Sequence, residues 1–227
     1  MNIVFFTGAG ISAESKVDTF RGSGLWDKYD INEVATINAW RKNKKKCLDF
    51  YNLLCKTVVD NLPNQAHLYI SELESNYNVS VITQNVDDYH EMSGSSNVLH
   101  LHGDINYVRS TVNNQLISWD RERPILLGDK CERGSQVRPN VIFFGENLDK
   151  SILVKAVNLI KECDILVIVG TSLLVQPANS LPLKCKPGVP IYYIDTVDKI
   201  DDEFDRDIIH IRDIASTGIK KLIEEYL

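Results

Sequence analysis

Three clusters of residues in this chain could do chemistry. Gly8-x-Gly10-x-x-Ala13 follows at once on the apolar run Asn2 to Thr7 (NIVFFT). After a strand, this pattern suits a pyrophosphate: the first glycine permits a tight turn, the second lets backbone approach phosphate, and a small Ala13 allows close packing. Backbone N–H groups and a helix N-terminus would attract the anion. Thr83-Gln84-Asn85-Val86-Asp87 follows a second apolar run, Val79 to Thr83. At a strand end in an open α/β sheet, Gln84, Asn85 and Asp87 are placed to hydrogen-bond ribose hydroxyls or an amide. Capping of the next helix by Asn85 or Asp87 is the structural alternative. His100-Leu101-His102-Gly103-Asp104 closes a third run. Alternation puts His100 and His102 on one face, and the glycine after His102 lets backbone or ligand come close. A histidine that titrates near neutrality suits proton abstraction from a ribose hydroxyl.

The elements around these clusters predict how they are held. Apolar runs at Asn2 to Thr7, Val79 to Thr83, Val98 to Leu101, Asp164 to Val169, Ile191 to Ile194 and Ile208 to Ile211 read as strands. Val141 to Phe144 (VIFF) restarts the apolar pattern. Helical spacing runs through residues 33–60, Asn64 to Leu73, Ser151 to Cys163 and Ile214 to Tyr226. Strands with near-continuous apolar runs, each followed by a helix, imply an α/β fold: a parallel sheet with helices on both faces. Residues 15–30 read as a long functional loop anchored by Phe20, Leu25 and Trp26. Residues 104–140 are polar and irregular, and predict a small inserted module. The expected division is a large domain from 1–30, 60–103 and 141–227, with 31–59 and 104–140 as the small module.

The 227 residues fit one large domain with such an insertion, and 44% hydrophobic with 25% charged residues is ordinary for a globular chain. A net charge of −6 argues against a nucleic-acid or membrane partner, though not against a lysine-rich substrate. The five cysteines form no C-x-x-C pair, so no zinc ribbon is legible and reduced thiols are expected. No apolar stretch approaches a membrane span, and a strand starting at Asn2 predicts no signal peptide. The expected location is the cytoplasm.

Taken together, the motifs resemble the sirtuins, the Sir2-like NAD-dependent protein deacylases. The resemblance rests on Gly8 to Ser15, Thr19-Phe20-Arg21-Gly22 with Gly24-Leu25-Trp26, Thr83 to Asp87, His102-Gly103, Arg138 to Glu146 and Gly170 to Ala178, all in the family's order. It implies a Rossmann-like large domain, a smaller module, and a cleft where NAD meets an acyl-lysine peptide. It implies that Gly8, Ala9, Gly10, Ser12, Ala13, Phe20, Arg21, Gln84, Gly170, Thr171 and Ser172 bind NAD, with Asn85 and Asp87 on the nicotinamide side. Val141, Phe144, Gly145 and Glu146 would contact the peptide, partly by strand addition. The implied reaction expels nicotinamide, lets the acyl oxygen attack the ribosyl centre, and uses His102 as general base. Its products are lysine, nicotinamide and O-acyl-ADP-ribose. Phe20 and Phe144 would keep water from the ribosyl centre.

The chain also departs from that family. Four zinc cysteines are usual in the small module, and here only Cys131 lies between Asp104 and Asn140, so zinc is not expected. Packing by Tyr107, Trp119, Ile125 and Leu126 would replace it. Thr19 stands where aspartate is common, as in members resembling the desuccinylase branch. That branch reads an acyl carboxylate with an alanine, a tyrosine and an arginine. Ala35 and Tyr51 match, but the arginine position holds Leu54. The expectation is a roomy apolar acyl pocket that prefers neutral acyl groups. Asp195, after the late strand, should accept from adenosine ribose hydroxyls and favour NAD over NADP. Ile214 should lie near the adenine, where Asp213 replaces a usual glycine. The readings kept open are an ADP-ribosyltransferase or NAD glycohydrolase, a non-catalytic NAD sensor, and a hydride-transferring dehydrogenase.

Overall fold

The computed structural model describes residues 1–19, 24–197 and 207–227. Nine strands are described: β1 (Asn2–Thr7), β2 (Asn78–Thr83), β3 (Val98–His100), β4 (Gly103–Ser110), β5 (Leu116–Ser118), β6 (Val137–Val141), β7 (Ile165–Val169), β8 (Ile191–Asp195) and β9 (Ile208–Arg212). The α-helices are α1 (Leu25–Lys28), α2 (Ile31–Val34), α3 (Ile37–Lys42), α4 (Lys44–Val59), α5 (Gln65–Glu72), α6 (Tyr89–Met92), α7 (Lys150–Glu162) and α8 (Ala215–Tyr226).

Six strands form a parallel sheet in the order β3-β2-β1-β7-β8-β9. The chain steps outward from β1 to β3 on one side and from β7 to β9 on the other. Between β1 and β7 the winding reverses, which opens a crevice beyond their carboxyl ends. The apolar runs are continuous because both faces are covered. Ile3 and Phe5 pack with Ile70 of α5 and Ile219 and Leu222 of α8. Val4 and Phe6 point the other way, to Ala156 and Ile160 of α7. Each such side chain contributes about 1.5–3 kcal/mol on burial.

A second, antiparallel sheet has the order β5-β4-β6. It shares a core with α2, α3 and α4, built around Trp40, Phe50 and Phe143; the Trp40 and Phe143 rings stack at 5.9 Å. Val141 ends β6, paired with Gly103 of β4. Here the structure corrects one expectation: Ile125 is buried and Trp119 partly so, but Tyr107 is 39% and Leu126 58% exposed. The β4–β6 ladder shifts register between Gly103 and Val108, and Val108 takes the core position instead of Tyr107. The expected loop of residues 15–30 also contains the short helix α1, with Leu25 buried and Trp26 edge-on to Phe50 at 4.9 Å. No helix among the described residues is long and apolar enough to cross a membrane.

Candidate active site

The glycine turn lies at the carboxyl end of β1, against the turn that follows β7. The Gly8 amide donates to the Val169 carbonyl at 3.0 Å and the Gly10 amide to the Gly170 carbonyl at 2.8 Å. A Cβ on Gly8 would overlap Thr171, and one on Gly10 would overlap Gly170. These glycines therefore let two turns of the protein touch, and their own amides are not the ones that would meet a pyrophosphate. Ala13 is exposed, so it does not provide the close packing its size suggested. The segment after Gly8 is a 3-10 turn, Ala9–Ser15, with Ser12 buried at its centre. Through Glu14 this turn accepts the Ser216 amide at 2.9 Å, which brings the start of α8 and its preceding residue Ile214 alongside.

The residues after β2 and β3 join this turn in one network. The Asn85 amide donates to Ser12 Oγ at 3.1 Å, and Ser12 Oγ donates to the Asp87 carboxylate at 3.0 Å. The Gln84 side-chain amide donates to Thr171 Oγ1 at 2.9 Å, and its main-chain N–H to the Thr7 carbonyl. Tyr193 of β8 donates its hydroxyl to the Thr171 carbonyl at 2.9 Å. His102 Nδ1 lies 2.9 Å from the Gln84 carbonyl, and Nε2 makes no hydrogen bond among the described residues. A carbonyl can only accept, so Nδ1 carries the proton and Nε2 the lone pair. Burial lowers the His102 pKa, opposed in part by the Gln84 carbonyl. Burial raises the Asp87 carboxyl to about 6, against the pull of Ser12, the Tyr89 N–H and the His100 charge. Among the described residues, helix capping by Asp87 is limited to a weak 3.4 Å bond from the Tyr89 amide.

Gly103, next to His102, has a φ of 106°, and a Cβ there would collide with the Asn140 carbonyl. Its freedom serves the approach of β6, which is the backbone half of the expected reason. Phe20 and Arg21 lie outside the described residues. Asp195 ends β8, where its carboxylate accepts the Val197 N–H. Ser172 is half-buried beyond Thr171.

On the expected peptide side, the Phe144 amide donates to the Ala35 carbonyl at 2.9 Å and the Ile37 amide to the Phe144 carbonyl at 3.0 Å. Phe144 is 40% exposed and Gly145 has a φ of 87°. The Glu146 carboxylate pairs with Arg138 at 2.9 Å and accepts the Phe143 N–H. Ala35, Tyr51, Leu54 and Val141 are all buried in the third core. Tyr51, Leu54 and Val141 also line a cavity of about 730 Å³ between α4 and the small sheet, with Val86 and Ile105. Val86 was missed in the sequence, although its place between Asn85 and Asp87 could have marked it.

Ser12, Asn85, Asp87 and Thr171 are buried polar groups from the ends of three strands, facing the reversal point of the sheet. Hydroxyl, amide and carboxylate groups so gathered fit the riboses and amide of a dinucleotide such as NAD. Comparison with known proteins agrees. The model of the Sir2 family matches residues 8–177. An NAD-dependent protein deacylase of Helicobacter pylori (strain J99 / ATCC 700824) is 46% identical over 196 residues, 86% of this chain and 82% of that protein. An NAD-dependent protein deacylase of Bacteroides thetaiotaomicron is 40% identical, over 97% of this chain and 96% of its own. A crystal structure of a Sir2 homologue with NAD superposes with a TM-score of 0.88 at 38% identity, covering 98% of this chain and 88% of the other. A match over most of the length, on the residues that build the crevice, means that this chain belongs to the Sir2 family.

Proposed function

We propose that this chain is an NAD-dependent protein lysine deacylase in which His102 is the general base. The observation that carries the assignment is the His102 ring: Nδ1 is tied to the Gln84 carbonyl and Nε2 is left to accept a proton. NAD would supply a ribose carbon that exchanges its bond to nicotinamide for one to the acyl oxygen; addition of water to the acyl carbon and departure of the lysine amine then leave O-acyl-ADP-ribose. The chain's own residues do the rest. Ser12, Gln84 and Thr171 orient the riboses by hydrogen bonding, with Gly8, Ala9, Gly10, Ser172, Asp195 and Ile214 around them. Asn85 and Asp87 line the nicotinamide side, where a carboxylate complements a cationic ring. His102 Nε2 takes the proton from a ribose hydroxyl. Phe144 shields that carbon from water.

The cavity against Val86 and Val141 is the acyl pocket of this reading. Its wall carries Leu54 where a carboxylate reader would stand. The cations around it are already partnered: Lys56 with Asp60 at 2.8 Å, Arg121 with Asp88 at 2.6 Å, and Arg123 with Asp129 at 2.7 Å. Neutral acyl groups longer than acetyl therefore fit better than succinyl. Five cysteines, including Cys163 and Cys185 with sulfurs 3.9 Å apart and unjoined, support a reducing cytoplasm as the setting.

The test is mass spectrometry of products from a panel of acyl-lysine peptides with NAD, for wild type and His102→Ala. Peptide-dependent release of nicotinamide with O-acyl-ADP-ribose, lost in the variant, is expected. Nicotinamide release that ignores the peptide would replace this reading with an NAD glycohydrolase or ADP-ribosyltransferase.

A further inference from the structure

His100 ends β3 and His102 follows two residues on, and each ring reaches a main-chain carbonyl of the segment after β2. His102 Nδ1 meets Gln84 at 2.9 Å; His100 Nδ1 meets the next carbonyl, Asn85, at 3.1 Å. The two rings differ at the other nitrogen. His100 Nε2 lies 2.8 Å from the Glu91 carboxylate of α6. A carbonyl oxygen and a carboxylate only accept, while a neutral imidazole has one N–H. Both contacts are hydrogen bonds only if the ring carries two protons.

We propose that His100 is a positioning residue of this site: an imidazolium clamped between the Asn85 carbonyl and the Glu91 carboxylate, it fixes the Gln84-to-Asp87 segment and holds a positive charge beside Asp87. The inference rests on the deacylase reading, because it gives Asn85 and Asp87 their place at the nicotinamide side.

The surroundings fit that charge. Glu91 from α6, Asp87 from the segment after β2 and Asp104 from β4 face the ring, as does the buried His90, whose pKa burial drives well below its ordinary value. Burial opposes the His100 charge more than any other single effect. The Glu91 hydrogen bond and charge, the Asn85 carbonyl and Asp104 together outweigh it and raise the ring to about 9. In return, the His100 charge is one of the three influences that hold the buried Asp87 carboxyl down to about 6. Without it Asp87 would be protonated further into the neutral range. The network through Ser12 to the Asn85 amide would then lose its ionised acceptor. His102 keeps its single carbonyl partner and stays a base. One alternating pair thus supplies a proton acceptor and a fixed cation from the same strand end.

The test uses the whole protein, with His100→Gln and the milder Glu91→Gln, whose side chain is 41% exposed. In 15N-histidine-labelled protein, His100 should show two protonated nitrogens up to about pH 9, and Glu91→Gln should shift that titration to lower pH. In wild type, kcat/KM for NAD should fall as pH rises through about 9. Glu91→Gln should move this alkaline limb at least about one pH unit lower, roughly a threefold or greater loss at pH 8.5 with little change near pH 6.5. His100→Gln should abolish the limb and lower kcat/KM for NAD about tenfold or more, with KM for the peptide nearly unchanged. A neutral His100 at pH 7.5 overturns the proposal. So does an alkaline limb shared unchanged by all three proteins, or an equal loss in both substrates that tracks a fall in Tm. Wild type that makes no O-acyl-ADP-ribose at any pH sinks the deacylase reading instead, and this role falls with it.

Discussion

The 2.9 Å contact between His102 Nδ1 and the Gln84 carbonyl fixes which nitrogen of the His102 ring is basic. Removing the ring should cost the chemistry and spare binding. His102→Ala is expected to lower kcat about 10²–10⁴-fold, the range of a single general base, with NAD affinity by calorimetry nearly unchanged. Because burial lowers the His102 pKa, the neutral base should persist below the ordinary histidine value of 6.5. The acid limb of kcat/KM for wild type should therefore lie below pH 6.5. A limb above that value would show that another group is the base.

Leu54 sits on the cavity wall beside Tyr51, one turn along α4. Leu54→Arg would place a guanidinium where the surrounding cations are already paired with Asp60, Asp88 and Asp129. A new bidentate bond to an acyl carboxylate is worth about 1.5–3 kcal/mol, or roughly 10–100-fold. The ratio of succinyl to acetyl turnover should rise by that factor, and turnover of longer neutral acyl groups should fall. Competition assays with mixed peptides read both at once.

Much of this was legible in the sequence, and the exceptions have physical causes. Strands β1, β2 and β7 are covered on both faces, so their apolar runs announce them. The three clusters at strand ends meet as their positions implied. β6 was hidden because it reads Val-Arg-Pro-Asn-Val. Its polar side chains find partners only in the fold: Arg138 at Glu146, and Asn140 accepting from Arg109 at 2.8 Å. Pro139 is tolerated on an edge strand, where no donor is required. Glu91 was equally hidden, since its partner His100 comes from a different element and no spacing rule joins them. Glu146 was legible from its motif, but the bond its carboxylate accepts from the Phe143 N–H was not.

Cys131 lies 3.4 Å from Ser110 Oγ and 3.1 Å from Ser135 Oγ, one thiol between two hydroxyls. The Ser110 and Ser135 hydrogen bonds favour the thiolate and lower its pKa to about 7. Burial pushes Cys47 and Cys55 up to about 11 and Cys163 to about 12. Since the thiolate is the nucleophile, iodoacetamide at neutral pH should alkylate Cys131 first, with a rate midpoint near pH 7. Peptide mapping checks the order. One thiol and two hydroxyls make a poor zinc site, so a chelator should leave Tm unchanged.

Acid stability should be governed by two buried histidines beneath the site. His67 and His90 have rings 4.9 Å apart, and His90 Nε2 lies 3.2 Å from Thr7 Oγ1. Each has a buried nitrogen with no partner among the described residues, His67 Nε2 and His90 Nδ1. Burial lowers His67 to about 4 and His90 well below its ordinary value. The unfolded chain takes up both protons near pH 6.5, where the folded chain does not, so acid favours unfolding. Stability should fall as pH drops from about 6.5 toward 4, by a few kcal/mol in all. Asp87 works against this, because its raised carboxyl is relieved of a buried charge below about pH 6. His67→Gln separates the two effects. His67 Nδ1 accepts the Asn64 N–H in a capping box, and glutamine fills that role at the same helix position without titrating. The variant should match wild type in Tm at pH 7.5 and lose less between pH 6.5 and 4.5. An equal acid loss in both proteins would move the cause away from His67.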